Sequence, residues 1–167
     1  MRRVTPILAV TLLLAAGAVV PARSQVATSI EAGMLVAASE YDVFSTPQLG
    51  FRIATVKPRS VGVDFSLATL PVGIRQGLIV AMPDLDLGFA IPAGDRTAIV
   101  PRIGASAIVG FSSEGGGAAA GYNVGIGLIT QVSQKTAIRI DYTYRRLLGG
   151  EGGLPLSSLS LGVAWTR

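Results

Sequence analysis

Within the stretch TAIRIDYTYRR, residues 136–146, hydrophobic and polar residues alternate without a break from Ile138 to Arg145. From 138 to 145, even-numbered positions carry isoleucine or tyrosine, and odd-numbered positions carry arginine, aspartate or threonine. Alternation with a period of two predicts a β-strand whose two faces meet different environments. Similar alternation returns along most of the chain after residue 24, so the pattern predicts an all-β protein.

Turn-forming residues divide this region into eight segments and seven connections. Eight strands joined alternately by short turns and longer loops are typical of an eight-stranded antiparallel up-and-down transmembrane β-barrel. Each segment is long enough for the roughly 9–11 residues that a tilted spanning strand needs. We predict strands at 26–38, 48–57, 60–69, 77–91, 97–112, 118–131, 136–147 and 155–167, short turns at 57–60, 92–97 and 132–136, and longer loops at 39–47, 70–76, 112–119 and 147–155.

The two faces of the predicted strands differ in composition. One face is apolar and carries the strand aromatics: Phe51, Phe65, Phe89, Phe111, Tyr122, Tyr142, Tyr144 and Trp165. The other face is rich in glycine, alanine and serine and carries the strand charges: Glu31, Arg52, Asp64, Asp84, Asp86, Arg102, Arg139, Asp141 and Arg145.

Composition indicates which face points outward. The surface of a soluble protein is about 25–35% charged, whereas only 14% of this whole chain is charged. The interior of an eight-stranded barrel is only just wide enough for side chains, which favours small residues there. We therefore predict that the charges point into the barrel and that the aromatics face lipid. The alternative is a soluble barrel with an apolar interior.

The inward charges fall at similar distances from the short turns, which predicts that they form a belt. An isolated charge inside a narrow barrel would be costly, so these side chains should pair. The alternative is a set of separately hydrated charges in a wet lumen. We predict a network that closes the lumen, centred on Arg52, Arg102 and Arg139 with Glu31, Asp64, Asp86 and Asp141.

The N-terminus has the pattern of a secretory signal peptide. Arg2 and Arg3 precede the apolar run at residues 7–20, and small residues follow before Gln25. A charged start, a short apolar run and a small-residue exit are typical of a cleaved signal. We predict a signal peptide at 1–24 and a barrel domain at 25–167.

Charge and residue types exclude several functions. Without residues 1–24 the chain keeps 11 basic and 10 acidic residues, and it has no basic run, so we expect no nucleic-acid partner. It contains no histidine and no cysteine, which excludes a Ser-His pair and soft metal sites. Asp84 and Asp86 share one strand face and could pair for acid–base chemistry or Ca²⁺, but neutralisation by neighbouring arginines is the simpler interpretation. We expect no enzymatic activity and no cofactor.

Two sequence stretches resemble a known family. The stretch GYNVGIGLITQVSQKTAIRIDYTYRR resembles the penultimate hairpin of small Gram-negative outer-membrane β-barrel proteins, the OmpA/OmpX-type group. The last strand, SLSLGVAWTR, is similar to the C-terminal signal that such proteins show to the barrel-assembly machinery. Ser160, Gly162 and Trp165 match that signal, whereas Arg167 replaces its usual terminal aromatic residue.

The resemblance implies a bacterial outer-membrane protein whose partners are outer-membrane lipid and the barrel-assembly machinery. An even number of strands places both termini on the periplasmic side. We predict a structural or weakly conducting barrel whose ligand, if any, is unknown. The alternatives are loop-mediated adhesion or passage of a small hydrophobic molecule, and, more distantly, a soluble secreted barrel that binds an apolar ligand.

Overall fold

The computed structural model places eight long strands at the alternating segments, and two of them begin three to five residues earlier than predicted. The predicted signal peptide at 1–24 lies outside the described part of the chain, as does Arg167. The structure describes residues 25–38, 42–56, 58–75, 77–113, 115–148 and 153–166.

Eight long strands form one closed antiparallel sheet. Each strand pairs with its neighbour along the chain, β1 pairs with β9, and β4 pairs with β6. The predicted eight-stranded all-β barrel is confirmed. The two-residue β5 pairs only with the start of β6 and is not a barrel wall. The strands are β1 (Gln25–Ala38), β2 (Val43–Val56), β3 (Val61–Thr69), β4 (Ile79–Phe89), β5 (Ile91–Pro92), β6 (Thr97–Ser112), β7 (Gly115–Gln131), β8 (Thr136–Leu148) and β9 (Leu154–Thr166).

The barrel has two different ends. At one end, which we call the turn end, β1 begins, β9 ends, and the connections after β2, β5 and β7 lie. At the opposite end, which we call the loop end, lie the connections after β1, β3, β6 and β8. Here a five-residue helix, α1 (Pro71–Arg75), occupies the predicted loop at 70–76. The described residues contain no helix that is long and apolar enough to cross a membrane.

The predicted loop at 112–119 is wrong, because the strands continue through it. The β6–β7 ladder runs to the pair formed by Ser112 and Gly115. The glycine and alanine run after residue 114 carries no alternation and therefore looked like a loop, but backbone pairing needs no side chains. Similarly, β2 begins at Val43, inside the predicted loop at 39–47.

The outward face of the barrel is apolar and exposed. The aromatics predicted for this face lie there: seven of the eight are exposed and Tyr144 is half-buried. Large aliphatic side chains lie between them, including Ile126 and Ile140. The barrel therefore presents a hydrophobic surface to its surroundings on all sides.

The interior is layered. All nine predicted interior charges are buried, and none is more than 6% exposed. An apolar layer lies next to them, toward the loop end. Large apolar side chains therefore point inward as well, in addition to the small and charged residues predicted for the inner face. This apolar layer consists of Leu35, Ala68, Val80, Met82, Leu147 and Leu156.

Candidate functional site

The charged interior is built from strands that surround the lumen. Arg52 of β2 lies between the carboxylates of β1 and β3, with Nε 2.9 Å from Glu31 Oε1 and Nη1 2.8 Å from Asp64 Oδ1. Antiparallel strands with period-two alternation bring these three side chains to the same inner face. Arg52 therefore joins three consecutive strands of the wall.

Arg139 of β8 crosses the lumen. Its Nη2 donates a hydrogen bond to Asp64 Oδ2 at 3.0 Å, and its Nε and Nη2 also donate to Asp141 on its own strand. Arg139 is 1% exposed. A fully buried guanidinium is tolerated only when its charge is compensated and its donors are used, and these two carboxylates satisfy that condition. Asp64 thus joins Arg52 and Arg139 into one network.

Arg102 of β6 reaches past β7 to pair with Asp141 of β8. Glycines on the inner face of β7 make this path possible. A Cβ atom at Gly127 would lie 2.6 Å from Asp141 Oδ1 and 3.1 Å from Arg102 Nη1, and one at Gly125 would lie 3.1 Å from Arg102 Nη2. The inner face of β7 is therefore kept free of side chains along the path of the Arg102 guanidinium.

Asp84 and Arg145 form a second group nearer the loop end. Arg145 donates from Nη2 to Asp84 Oδ2 at 2.6 Å and from Nε to Oδ1 at 3.0 Å. Ser66 and Ser106 donate to the same carboxylate, and Arg145 Nη1 donates to Ser158 Oγ at 2.8 Å. This bidentate, saturated pair fits a structural role, because Asp84 has no lone pair left facing open space.

Asp86 is the least compensated carboxylate of the interior. Its nearest ion-pair partner is Arg102 Nε, 3.8 Å from Asp86 Oδ2, and its Oδ1 accepts no hydrogen bond. Asp84 and Asp86 share a strand face as predicted, but their partners differ. Within the described part of the chain, no group of acidic residues is arranged to hold a metal ion.

The residues of the predicted assembly signal also belong to the barrel wall. Ser160 points inward and donates to Glu31 Oε2 at 3.2 Å. Gly162 faces the same side chain, since a Cβ there would lie 2.7 Å from Glu31 Cγ. Trp165 points outward and is 45% exposed. Ser160 and Gly162 thus have packing roles in the folded barrel, whatever their role in assembly.

The free space beside the network is small. Two cavities flank it, one toward each end, and each has a volume of about 10 Å³. That volume corresponds to about one water molecule. The side chains that line these two cavities therefore leave room for about one water molecule in each.

The hydroxyl partners of the carboxylates and the inward apolar layer were not predicted from the sequence. Ser29, Ser66 and Ser106 all donate to interior carboxylates. They have the same parity as the charges on their own strands, which is the signal that could have found them. The large apolar residues of the layer share this inward parity, but the positions of the charges alone did not predict that these residues form a separate layer.

Comparison with known proteins supports the fold. The sequence matches no family model and no curated protein. Among solved structures it is similar to Ail, the attachment invasion locus protein of Yersinia pestis, in complex with the heparin analogue sucrose octasulfate. The two chains are 13% identical with a TM-score of 0.62, and the match covers 86% of this chain and 99% of that chain.

Two further solved structures are similar in the same way. Neisserial surface protein A has 10% identity and a TM-score of 0.63, with 84% of this chain and 96% of that chain covered. The N-terminal β-barrel domain of Pseudomonas aeruginosa OprF has 16% identity and a TM-score of 0.59, with 87% and 100% covered. The chain has the fold of small outer-membrane β-barrels. At these identities the likeness concerns this barrel fold alone.

Proposed function

We propose that this protein is an integral outer-membrane β-barrel with a structural, non-enzymatic role, and that its lumen is closed. The observation that carries the proposal is the ion pair between Arg139 and Asp64, whose strands lie on opposite sides of the barrel. A bridge across the full width of the lumen, joined to the wall by Arg52 and Arg102, leaves little room for a permeating ion.

The outward surface supports the membrane location. Soluble monomers rarely expose contiguous apolar patches beyond a few hundred Å², whereas here large hydrophobic residues are exposed on every barrel strand. Closure of the sheet gives each strand a neighbour on both sides, so backbone groups are satisfied inside a bilayer. The charges point to the opposite face, away from lipid.

The orientation follows from the two ends. We place the turn end, where β1 begins and β9 ends, in the periplasm and the loop end outside the cell. The three turn-end connections have four residues each, whereas the β3–β4 connection at the loop end has nine, and outer-membrane barrels have short periplasmic turns and longer external loops. The partners we assign are outer-membrane lipid and, through the last strand, the barrel-assembly machinery. The absence of histidine and cysteine from the sequence supports a non-enzymatic role.

Two measurements test the proposal. Fractionation should place the protein in the outer membrane, and the folded barrel should shift its gel mobility on boiling. Reconstituted into liposomes, it should give no swelling with small sugars. Recovery of a detergent-free, soluble protein would reject the membrane location, and rapid swelling at low protein density would reject the closed lumen.

A further inference from the structure

The two ends of the barrel carry opposite charge. The three connections at the turn end contain four basic residues and one acidic residue in the sequence, a net charge of +3. The four connections at the loop end contain one basic and four acidic residues, a net charge of −3. Three of the basic residues at the turn end, one in each connection, lie in the described part of the chain. We call them the turn-end cations: Arg59, Arg96 and Lys135.

The turn-end cations are exposed and uncompensated. All three side chains are exposed, and none of them forms an ion pair with another described residue. The ion pairs within the described part of the chain lie in the barrel interior, where the arginines hold the network together. Asp95, the acidic residue of the turn end, is exposed as well. Pairing within the fold does not account for the turn-end cations, so their charge is available to an anionic partner.

Backbone hydrogen bonds hold the turn-end cations against the barrel wall. Arg59 N donates to a carbonyl oxygen beyond the end of β4 at 2.9 Å. The carbonyl oxygen of Arg96 accepts from Gln131 N at the end of β7 at 2.7 Å, and that of Lys135 accepts from Thr166 N on β9 at 3.0 Å. Each connection is thus fixed to the next strand around the wall, so the backbone of the three cations keeps a fixed spacing around the rim.

Arg59 occupies a strained backbone position. Its φ angle is 57°, in the left-handed region that favours glycine, and no other non-glycine residue that the structure describes has a positive φ. Glycine would adopt this conformation without steric cost. Turn geometry therefore does not account for an arginine here, and its exposed side chain points to a contact outside the chain.

Exposed aromatic residues lie beside two of the turn-end cations. Trp165 pairs with Thr136, the residue that follows Lys135. Phe89 is the last residue of β4, the strand beyond whose end Arg59 is bonded. Both rings are exposed on the outward face, and aromatic residues of membrane barrels gather at the level of the lipid headgroups. The cations therefore lie where the apolar surface ends and the headgroups begin.

We propose that the turn-end cations bind the phosphate groups of anionic phospholipids in the leaflet that surrounds the turn end. A basic cluster next to a bilayer surface attracts anionic lipid. A layer of headgroups can meet cations that are spread around a rim, whereas a small soluble anion would need them converged on one point. This inference rests on the proposed membrane location, but it depends neither on the closed lumen nor on the direction of insertion.

The single tryptophan of the chain provides the measurement, because Trp165 lies beside Lys135. The full-length protein is reconstituted into vesicles of equal parts phosphatidylglycerol and phosphatidylcholine, with brominated acyl chains on one lipid or on the other. Bromine quenches tryptophan fluorescence on contact, so the two quenching values give the relative occupancy of the two lipids beside Trp165. We expect phosphatidylglycerol to be favoured about fivefold, the factor for one cation at a bilayer surface.

Matched variants assign the preference to the cations. Lys135→Gln should abolish it at Trp165, whereas Lys135→Arg should keep it. Phe89→Trp in a Trp165→Phe background moves the reporter beside Arg59, and there Arg59→Gln should abolish the preference. Phe111→Trp in the same background is the control at the loop end, since this exposed residue has uncharged ladder partners, and it should show no preference.

The outcomes separate this inference from the proposed function. Chloride and phosphate salts at equal ionic strength should weaken the preference equally, because both screen exposed charges. A selective loss in phosphate would make a free anion the occupant and overturn the lipid assignment. Equal quenching by the two lipids beside Lys135 or Arg59, or the same preference at Phe111→Trp, would also overturn the inference but leave the membrane location intact. Absence of quenching by either lipid would reject the membrane location and this inference with it, whereas liposome swelling would reject only the closed lumen.

Discussion

Arg139 Nη2 lies 3.0 Å from Asp64 Oδ2, although three strands separate β8 from β3 in either direction around the barrel. This pair spans the lumen at its full width. It also joins the network on both walls, since Arg139 contacts Asp141 and Asp64 contacts Arg52. The two residues therefore couple opposite sides of the barrel, so the effect of substituting one on stability should depend on whether the other is present.

The first prediction concerns this coupling. Arg139→Ala or Asp64→Ala alone should lower the free energy of unfolding by about 3–5 kcal/mol, because each leaves a buried charge without its partner. The double variant should cost less than the sum of the two, and the difference is the coupling energy. Urea unfolding in lipid vesicles measures all three values. Strict additivity would show that the contact contributes nothing.

The second prediction concerns the glycine-lined path of Arg102. Gly127→Ala should destabilise the barrel by about 1–3 kcal/mol, because the new Cβ would displace an ion pair that cannot move freely. Gly117→Ala, on the same strand with no atom within 4 Å of its Cβ, is the control and should change stability by less than about 0.5 kcal/mol. Equal effects at the two positions would contradict this role for Gly127.

The third prediction tests the lipid-facing surface. Ile140→Arg should cost about 2–4 kcal/mol, because it places a charge on the outward face near the bilayer midplane. Leu148→Arg, on the same face of the same strand but at its loop end, should cost only about 0–1 kcal/mol. Unfolding in vesicles gives both values. An Ile140→Arg protein that is as stable as wild type would favour a soluble barrel.

The fourth prediction tests the orientation. Cysteine introduced at Ser113, in the connection between β6 and β7, should react in intact cells with a reagent that does not cross the membrane. Cysteine at Ser133, in the exposed turn between β7 and β8, should react only after lysis. The sequence has no cysteine to interfere. The reverse labelling pattern would invert the assignment of the two ends.

The sequence predicted the side of the wall on which the strand charges and aromatic residues lie. A period of two forces alternate residues onto opposite faces, so locating one charge on a strand locates its neighbours as well. Arg139, Asp141 and Arg145 are placed inside by this rule, and the structure buries all three. The number of strands was predicted from the turn-forming residues that separate the alternating segments.

The alternating pattern did not predict which charged side chains pair across the lumen. Contact between Asp64 and Arg139 depends on the stagger of the closed sheet, which alternation along one strand does not specify. Stagger also places Asp84 with Arg145 in a separate group nearer the loop end. The extended β6–β7 hairpin was missed for another reason, because a run of glycine and alanine has no polar–apolar contrast.

Ion current across planar bilayers tests the closed lumen most directly. Wild-type protein should give little or no steady conductance, and so should Met82→Ala, which thins the apolar layer but keeps the charged network. The double variant Met82→Ala/Arg139→Ala should conduct. The control double variant Met82→Ala/Lys135→Ala removes a positive charge from an exposed turn instead and should stay closed. Large, stable wild-type channels that the loss of Arg139 does not change would contradict the account.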